Sequence, residues 1–307
     1  MSVTIDTECD KSPNWSNSNP LTFNSVYKAI PKILQPLFES YSLKPTYFLS
    51  PEIIEDASCV KILSSIKNNC ELGTHLHADY IEPSKSFVNF SGRETHAFQT
   101  DYSPEIEFEK LLNLTNNFKD SFKFFPKVFR SGRYAANANT IRSLIKLNYK
   151  VDSSFTPHLK WESPLGNSID HQRSPEQPYF CKPDDIYNSS DSNLLEVPLT
   201  IIDSTKYFFF NKKIWLRPKF SNINEVKKII NYVKSKYSNN DYIVLNMMFH
   251  SQELIPNASP YTKSQSDVDS YINFLDKVFK LAQKENIQFA TLEEIHHIAS
   301  QFLNNNK

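Results

Sequence analysis

Apolar residues recur along this chain in two periods, one strand-like and one helix-like, and the two take turns. Ser2-Val3-Thr4-Ile5 is a short β-branched run that ends at Asp6. Residues 26–41 then carry apolar side chains at helical spacing, and 45–49 read as a strand. Residues 51–67 predict a helix with Ile53, Ile54, Val60, Ile62, Leu63 and Ile66 inward, followed by a strand over 71–77. A helix over 106–120 buries Phe108, Leu111, Leu112 and Leu114. A strand over 127–130, a helix over 140–147 and a strand over 149–152 come next. The segments 194–202, 224–237, 243–249, 266–285 and 289–292 continue the alternation up to a last helix. Strand, helix and strand repeated in this way predict a parallel α/β sheet or barrel.

No shift in composition divides the chain, so one domain over 1–303 is expected, with a frayed tail over 304–307. Residues 155–193 form the longest irregular stretch, rich in Pro, Ser and Asp. An insertion of this length usually lies over a ligand site. The 307 residues, 39% of them apolar, suffice for a full core and exclude a disordered chain. Basic and acidic residues balance at 34 each, so no broad field favours nucleic acid or anionic lipid. No stretch approaches the roughly 18 apolar residues of a membrane span, and no secretory signal is expected. Cys9, Cys59, Cys70 and Cys181 lie far apart without a CxxC pair. They suggest neither a zinc knuckle nor a disulfide framework, and a cytoplasmic location is expected.

In a parallel α/β fold, chemistry collects beyond the carboxyl ends of the strands. Each strand of this chain runs into polar residues. Asp6, Glu8 and Asp10 come after the first, and His75, His77 and Asp79 after the third. Arg130 and Arg133 come after the next, then Asp152, and a late strand ends in His250 and Ser251. Asp6 and Glu8 share one face of an extended chain. Such a pair suits a general base and a metal ligand, although a bare D-x-E is more often a solvated loop. His75 and His77 also share a face, and neutral imidazoles suit divalent zinc, cobalt or iron. Gly73 before them permits a turn or a close approach. Asp79 is an alternative partner for His75 if the chain turns helical there. Arg130 or Arg133 could orient a carboxylate, though most Arg lie on surfaces. His250 reads equally as a core imidazole or as the acid for a leaving group. His296 and His297 are sequence neighbours on a helix and point apart. His96, His158 and His171 are loop residues within possible reach of a substrate.

Taken in order, these residues resemble the polysaccharide deacetylase superfamily, the NodB-homology domain of carbohydrate esterase family four. The resemblance runs from Val3 to about Ile298. Thr4-Ile5-Asp6-Thr7-Glu8 stands where that family has T-F-D-D, and Glu71-Leu72-Gly73-Thr74-His75-Leu76-His77 where it has E-I-G-x-H and a second His. Phe129-Arg130-Ser131-Gly132-Arg133-Tyr134 matches its R-x-P-Y, Phe249-His250-Ser251 its L-x-H, and Lys44-Pro45-Thr46-Tyr47-Phe48 its apolar A-T-F-F strand. The H-x-H and F-R-x-G-R patterns are similar to a branch often found with surface-glycan genes.

The resemblance implies a distorted (β/α) barrel and a metal-dependent hydrolase that removes an N-acetyl group from a sugar or glycan precursor. It implies one divalent ion, most often zinc, with His75 as a ligand. It implies Asp6 as base, Arg130 as its orienting partner, His250 as acid, and Asp152 as the carboxylate that tunes His250. Arg133, Tyr134 and Ser251 would contact the substrate. The chain departs from the family in two places. Thr7 replaces the second Asp of T-F-D-D, so Glu8, or else Asp10, is the expected substitute ligand. Asp79 stands where the family has its second metal His, so His77 or Asp79 completes the set. A nucleotide-linked or lipid-linked sugar suits a chain without a secretory signal. Two rivals remain: an H-x-H amidohydrolase, which would carry that motif on its first strand, and a non-catalytic glycan-binding protein on the same fold.

Overall fold

The computed structural model describes residues 1–85, 98–204 and 212–305, with side chains as far as Phe302. Five strands follow the expected pattern, β1 (Ser2–Thr7), β2 (Thr46–Leu49), β3 (Glu71–Leu76), β4 (Val128–Ser131) and β5 (Val151–Asp152), and β6 (Lys160–Glu162) lies within the 155–193 stretch. After them come β7 (Ser168–Asp170), β8 (Tyr179–Lys182), β9 (Asp185–Ser189), β10 (Leu195–Glu196), β11 (Ile201–Asp203), β12 (Lys213–Trp215) and β13 (Asn246–His250). The main sheet runs β13-β1-β2-β3-β4-β5-β10-β8-β9. Its pairings from β13 to β10 are all parallel, and β8 and β9 add on antiparallel. β1 and β2 are buried along their whole length, as strands covered on both faces must be.

The sheet curls until the segment after β10 meets β13. The Thr200 N–H donates to the Asn246 carbonyl (3.1 Å), and the Asn246 N–H to Thr200 Oγ1 (2.7 Å). The result is the expected distorted (β/α) barrel of one domain. Gly73 sits where β3 and β4 approach most closely. A Cβ there would lie 2.4 Å from Val128 Cγ2 and 2.6 Å from the Val128 carbonyl oxygen, so only glycine fits.

The helices start where local capping allows. Ser103 Oγ accepts from the Ile106 N–H at the start of Pro104–Phe122, and Asn222 and Ser264 cap Ile223–Lys236 and Gln265–Lys284 in the same way. The single helix expected over 51–67 is two, Pro51–Glu55 and Ala57–Ile66. Asp56 is extended between them, and its carboxylate accepts from the Cys59 N–H, which starts a new helix rather than continuing the old one. Residues 289–291 form no strand; the Ala290 N–H donates to the Met1 carbonyl (3.0 Å). The last helix, Leu292–Asn305, starts against Glu71, whose carboxylate accepts from the Leu292 and Glu293 N–H groups. Residues 306–307 of the expected tail lie outside the described residues. No helix of the described residues is long and apolar enough to cross a membrane.

The stretch 155–193, expected as irregular, folds as two antiparallel hairpins, β6/β7 and β8/β9. Their strands are short and rich in Ser, Asp and Lys, so no period shows in the sequence. Glu176 pins this insertion to the helix Ile223–Lys236. It accepts from Lys236 Nζ (3.0 Å) and the hydroxyls of Tyr232 and Tyr237 (3.1 and 2.9 Å), and pairs with His158 Nε2 (2.8 Å). The insertion is thereby held over the carboxyl end of the barrel.

One buried acid makes stability depend on pH. Glu107 is buried on the helix Pro104–Phe122, where it accepts from Gln99 Nε2 and Thr140 Oγ1. Burial outweighs both bonds and pushes its carboxyl from 4.5 up to about 7. A group with a raised folded pKa stabilises fully below its unfolded value, and that contribution is lost as pH rises through the folded one. Glu107→Gln should therefore match the parent near pH 4.5 and exceed it near pH 8 by about 3 kcal/mol. Urea unfolding of both proteins at the two pH values checks this; equal stability at pH 8 would contradict it.

Candidate active site

The parallel register sets the site. It places Asp6 of β1 beside His250 of β13, and His75 of β3 beside Arg130 of β4. The Arg130 guanidinium is fully buried. Its Nη1 donates to Asp6 Oδ1 (2.7 Å), its Nη2 to Thr4 Oγ1 and Ser153 Oγ (2.8 and 2.9 Å), and its Nε to the Ser153 carbonyl (2.8 Å). The Phe48 ring packs against it with its centroid 4.4 Å away. Burial alone would raise the Asp6 pKa; the charge of Arg130, aided by His75 and His250, instead holds it below the usual carboxylate range.

Glu8, His75 and His77 are buried together, with their ligand atoms all within 4.8 Å of one another. Glu8 Oε1 lies 3.3 Å from His75 Nε2 and 3.1 Å from His77 Nε2, and Lys11 Nζ is 3.5 Å from Glu8 Oε2. His75 donates from Nδ1 to the Arg130 carbonyl (3.0 Å), which turns Nε2 toward the acids. Burial would raise Glu8 as well, but His77 and Lys11 hold it well below its ordinary value. Burial lowers His75, while Asp6 and Glu8 raise it further than burial lowers it. That negative field also attracts a divalent cation. Two imidazole nitrogens and a carboxylate oxygen suit zinc, cobalt or iron(II), so the residues fit one such ion.

Gly132 lets the loop after β4 close over this group. A Cβ there would lie 2.5 Å from the Leu76 carbonyl oxygen and 3.3 Å from the His77 ring. Arg133 comes next in the left-handed region (φ 53°), with Nη1 3.4 Å from His77 Nδ1 and 3.8 Å from Asp79 Oδ1. Of the alternatives left open by the sequence, the geometry gathers Glu8 and His77. Asp79 is buried facing Arg133, outside the three-ligand group. Asp10 instead holds the start of the helix at Ser25: it accepts from the Asn24 N–H, Asn24 Nδ2 and the Ser25 N–H.

The carboxylate against His250 is Glu253, not Asp152. Glu253 Oε1 lies 2.8 Å from His250 Nδ1 and accepts from Arg217 Nη2 (2.8 Å), while Oε2 accepts from the Tyr271 hydroxyl (2.6 Å). Burial would raise Glu253, but Arg217 and His250 bring it down to about 2, so it is an anion. It therefore accepts a hydrogen bond from the Nδ1–H of His250 and leaves Nε2 facing inward, 3.8 Å from Glu8 Oε1 and 4.0 Å from Asp6 Oδ2. Asp152 accepts from Ser154 Oγ and lies beside Glu196. Burial raises both acids, Asp152 to about 6. Ser251, expected at the substrate, is fully buried and donates to Ser25 Oγ (3.2 Å).

A cavity of about 440 Å³ opens above this group. Asp6, Glu8, His75, His77 and His250 form its polar side, with Lys11, Arg133, Glu162 and Arg217. Tyr134, expected at the substrate, does line it, together with further aromatic rings. Sequence reasoning missed Lys11, Glu253, Arg217 and most of those rings. They lie in loops, turns and strands of three residues, too short for a period, and only the position of Glu253 three residues after His250 could have signalled it. His171 is buried against Thr156, and His158 belongs to the Glu176 cluster; neither lines the cavity. His96 lies outside the described residues.

One ion per chain is the expected stoichiometry. Glu8→Gln and His75→Ala should each weaken zinc uptake by more than the ~10–100-fold typical of losing an outer-shell partner. Asp10→Ala should leave uptake intact and cost about 1 kcal/mol as a lost cap. Calorimetric zinc titration and thermal melts read both. Weakened uptake in Asp10→Ala would reopen the choice of acid.

No family model and no curated protein sequence matches the chain. Solved structures do. A putative glycoside hydrolase/deacetylase from Parabacteroides distasonis superposes with a TM-score of 0.61 at 9% identity, over 92% of this chain and 66% of its own. A putative polysaccharide deacetylase from Mycobacterium smegmatis matches with a TM-score of 0.46 at 13% identity, over 95% and 93%. A family 4 acetyl xylan esterase from Clostridium thermocellum, in complex with a cobalt ion, matches with a TM-score of 0.46 at 12% identity, over 97% and 90%. Of these three, the first fixes the architecture. The chain shares the distorted (β/α) fold of that putative glycoside hydrolase/deacetylase.

Proposed function

We propose that this protein is a hydrolase that removes an N-acyl group of acetyl size from an amino sugar, using one divalent ion, zinc first among the candidates, held by Glu8, His75 and His77. One observation carries the reading. A carboxylate locked by Arg130 and an imidazole locked by Glu253 flank the three-ligand group, with Asp6 Oδ2 3.9 Å from His75 Nε2 and His250 Nε2 3.8 Å from Glu8 Oε1. Fold likeness adds only analogy.

When bound, such an ion polarises an acyl carbonyl and acidifies a water toward neutral pH. Asp6 accepts the proton of the attacking water at Oδ2, because Oδ1 is tied to Arg130. His250 delivers a proton from Nε2 to the departing amine, because its Nδ1 proton is held by Glu253. The amide C–N bond breaks, a C–O bond to the water oxygen forms, and a carboxylate and an amine leave. The aromatic side of the cavity packs the apolar faces of the sugar and displaces water. A cytoplasmic location belongs to the same proposal. It rests on cysteine usage, and cell fractionation checks it.

Acetate release from a panel of N-acetylated sugars, with and without added metal, tests the reading. Asp6→Asn and His250→Ala should each keep the metal and lose roughly 10²–10⁴ in kcat, the usual contribution of a positioned base or acid. Glu253→Gln should lower kcat by a smaller factor, whereas Asp152→Asn should change it little. Saccharide binding without metal uptake or acetate release would sink the hydrolase and leave a glycan-binding protein.

A further inference from the structure

Asp152 and Glu196 are partners in the parallel register of β5 and β10. Paired residues on neighbouring strands point to one face, with backbones about 4.8 Å apart. Both side chains are fully buried. Each carboxyl has one oxygen met: Asp152 Oδ1 accepts from Ser154 Oγ, and Glu196 Oε1 from the Phe155 N–H (3.0 Å). The other two oxygens, Asp152 Oδ2 and Glu196 Oε2, are buried and receive no donor from any described residue. Two anions placed like this would repel each other with one oxygen each unmet. A single proton between those oxygens meets both and removes half the charge.

The surrounding groups do not supply that charge balance. Arg130 acts on both acids, but its donors are taken by Asp6, Thr4 and Ser153. Cys181 and Tyr179 on β8 and Tyr187 on β9 face the pair, and burial raises all three, so they stay neutral. His171, 4.7 Å from the Phe155 ring, is lowered to about 4 by burial and is neutral as well. On the helix Ala138–Lys146, Arg142 turns to Asp184 and Lys146 to the Phe108 ring. Glu107 reaches β4 only through Gln99, whose Oε1 accepts from Ser131 Oγ.

The pair frames the residue that holds Arg130. Ser154 Oγ, which donates to Asp152, accepts from the Ser131 N–H of β4 (2.8 Å), and the Phe155 N–H is on Glu196. Between these anchors Ser153 offers its carbonyl and Oγ to Arg130 (2.8 and 2.9 Å), and Arg130 Nη1 holds Asp6 Oδ1 (2.7 Å). Loss of the proton would set two anions against each other on either side of Ser153. We propose that Asp152 and Glu196 share one proton and that the pair is a positioning element for Asp6, acting through Ser153 and Arg130. The shared proton stands by itself, and only the effect on turnover rests on the hydrolase reading.

The pH dependence of stability counts the proton. Burial raises Asp152 to about 6 and Glu196 well above its ordinary value. A raised carboxyl stabilises fully below its unfolded value, and that contribution is lost as pH rises through the folded one. Between pH 7 and 8 the folded pair should therefore keep one proton that the unfolded chain, with carboxyls near about 4, has given up. The metal-free parent and Asp152→Asn/Glu196→Gln are unfolded in urea at both pH values. Over that unit the folding constant of the parent should fall about tenfold more than that of the double variant. Equal slopes mean two anions, and an excess of about a hundredfold means two neutral acids; either result overturns the shared proton. If the double variant does not fold, infrared spectra of the parent and Glu196→Gln decide instead. The parent should show a protonated-carboxyl band that the variant lacks, and identical spectra overturn the shared proton.

Positioning is read at Arg130 and in turnover. Asp152→Ala removes the acceptor of Ser154 and should move the Arg130 Nε–H resonance in nitrogen-15 NMR spectra. It should also lower kcat roughly tenfold or more at unchanged zinc affinity, since a misplacement of about 1 Å can cost on the order of 10²-fold. Asp152→Asn keeps an acceptor there and should restore both the resonance and most of kcat. Ser154→Ala cuts the same link and takes the place of Asp152→Ala if that variant does not fold. An unmoved resonance, or a shift that Asp152→Asn shares, overturns the positioning role. A parent that releases no acetate from any N-acetylated sugar removes the hydrolase, while the proton count and the resonance still decide the pair.

Discussion

The Arg130–Asp6 pair is the constraint on which the rest of the site depends. β1 and β4 are separated in the sheet by β2 and β3, so this contact crosses the barrel interior. A buried guanidinium is tolerated only when its donors are met and its charge is balanced. Here the acceptors come from β1 and from the residue after β5. Ser153 Oγ passes its own proton to the Val197 carbonyl and accepts from Asn246 Nδ2, and Asn246 Oδ1 accepts from Ser2 and Thr4. The centre of this barrel is therefore a polar network tied to β13 and to the closing segment. Removing Arg130 alone would leave the Asp6 carboxylate buried without its counter-ion, which typically costs about 3–5 kcal/mol. The group that keeps Asp6 ionised also holds the barrel closed.

The same device recurs at each reactive group. Asp6 has Arg130, Glu8 has Lys11, and His250 has Glu253, which is itself held by Arg217 and Tyr271. Each of these three groups thus faces a partner of opposite charge at the buried end of the barrel. A site built this way needs little rearrangement when charge shifts during a reaction, because its dipoles and ions are already oriented. The four hydrogen bonds that Arg130 donates and the three groups on Glu253 fix which oxygen of Asp6, and which nitrogen of His250, face the cavity.

Much of this was legible in the sequence because it depends on strand ends. Asp6, His75, Arg130 and His250 each close or nearly close a strand, and parallel register brings such positions together. The choice of His77 over Asp79 depends on where β3 stops. The chain stays extended through Leu76, so His75 and His77 keep one face, and the tight turn begins only at Ala78. Asp152 misled because order along the chain does not say which side chain reaches an imidazole. Glu253 reaches His250 through a turn of three residues, a spacing that no hydrophobic period marks. The aromatic wall of the cavity was illegible for a similar reason. Its rings are spread from Trp15 to Tyr261 on unrelated loops and short strands, and only the closed barrel makes them neighbours.

Backbone geometry fixes part of the wall. The chain has 4 Gly and 18 Pro, and two of the wall residues hold left-handed backbone without being glycine. The cost of ordering those residues is therefore met when the protein folds, not when a ligand binds. Glu176 extends the logic to the insertion, since its bonds to Lys236, Tyr232 and Tyr237 fix the hairpin that presents Trp161. Side chains fixed in this way lower the ordering cost that binding must meet, and selectivity follows from refusing whatever does not fit against the rings.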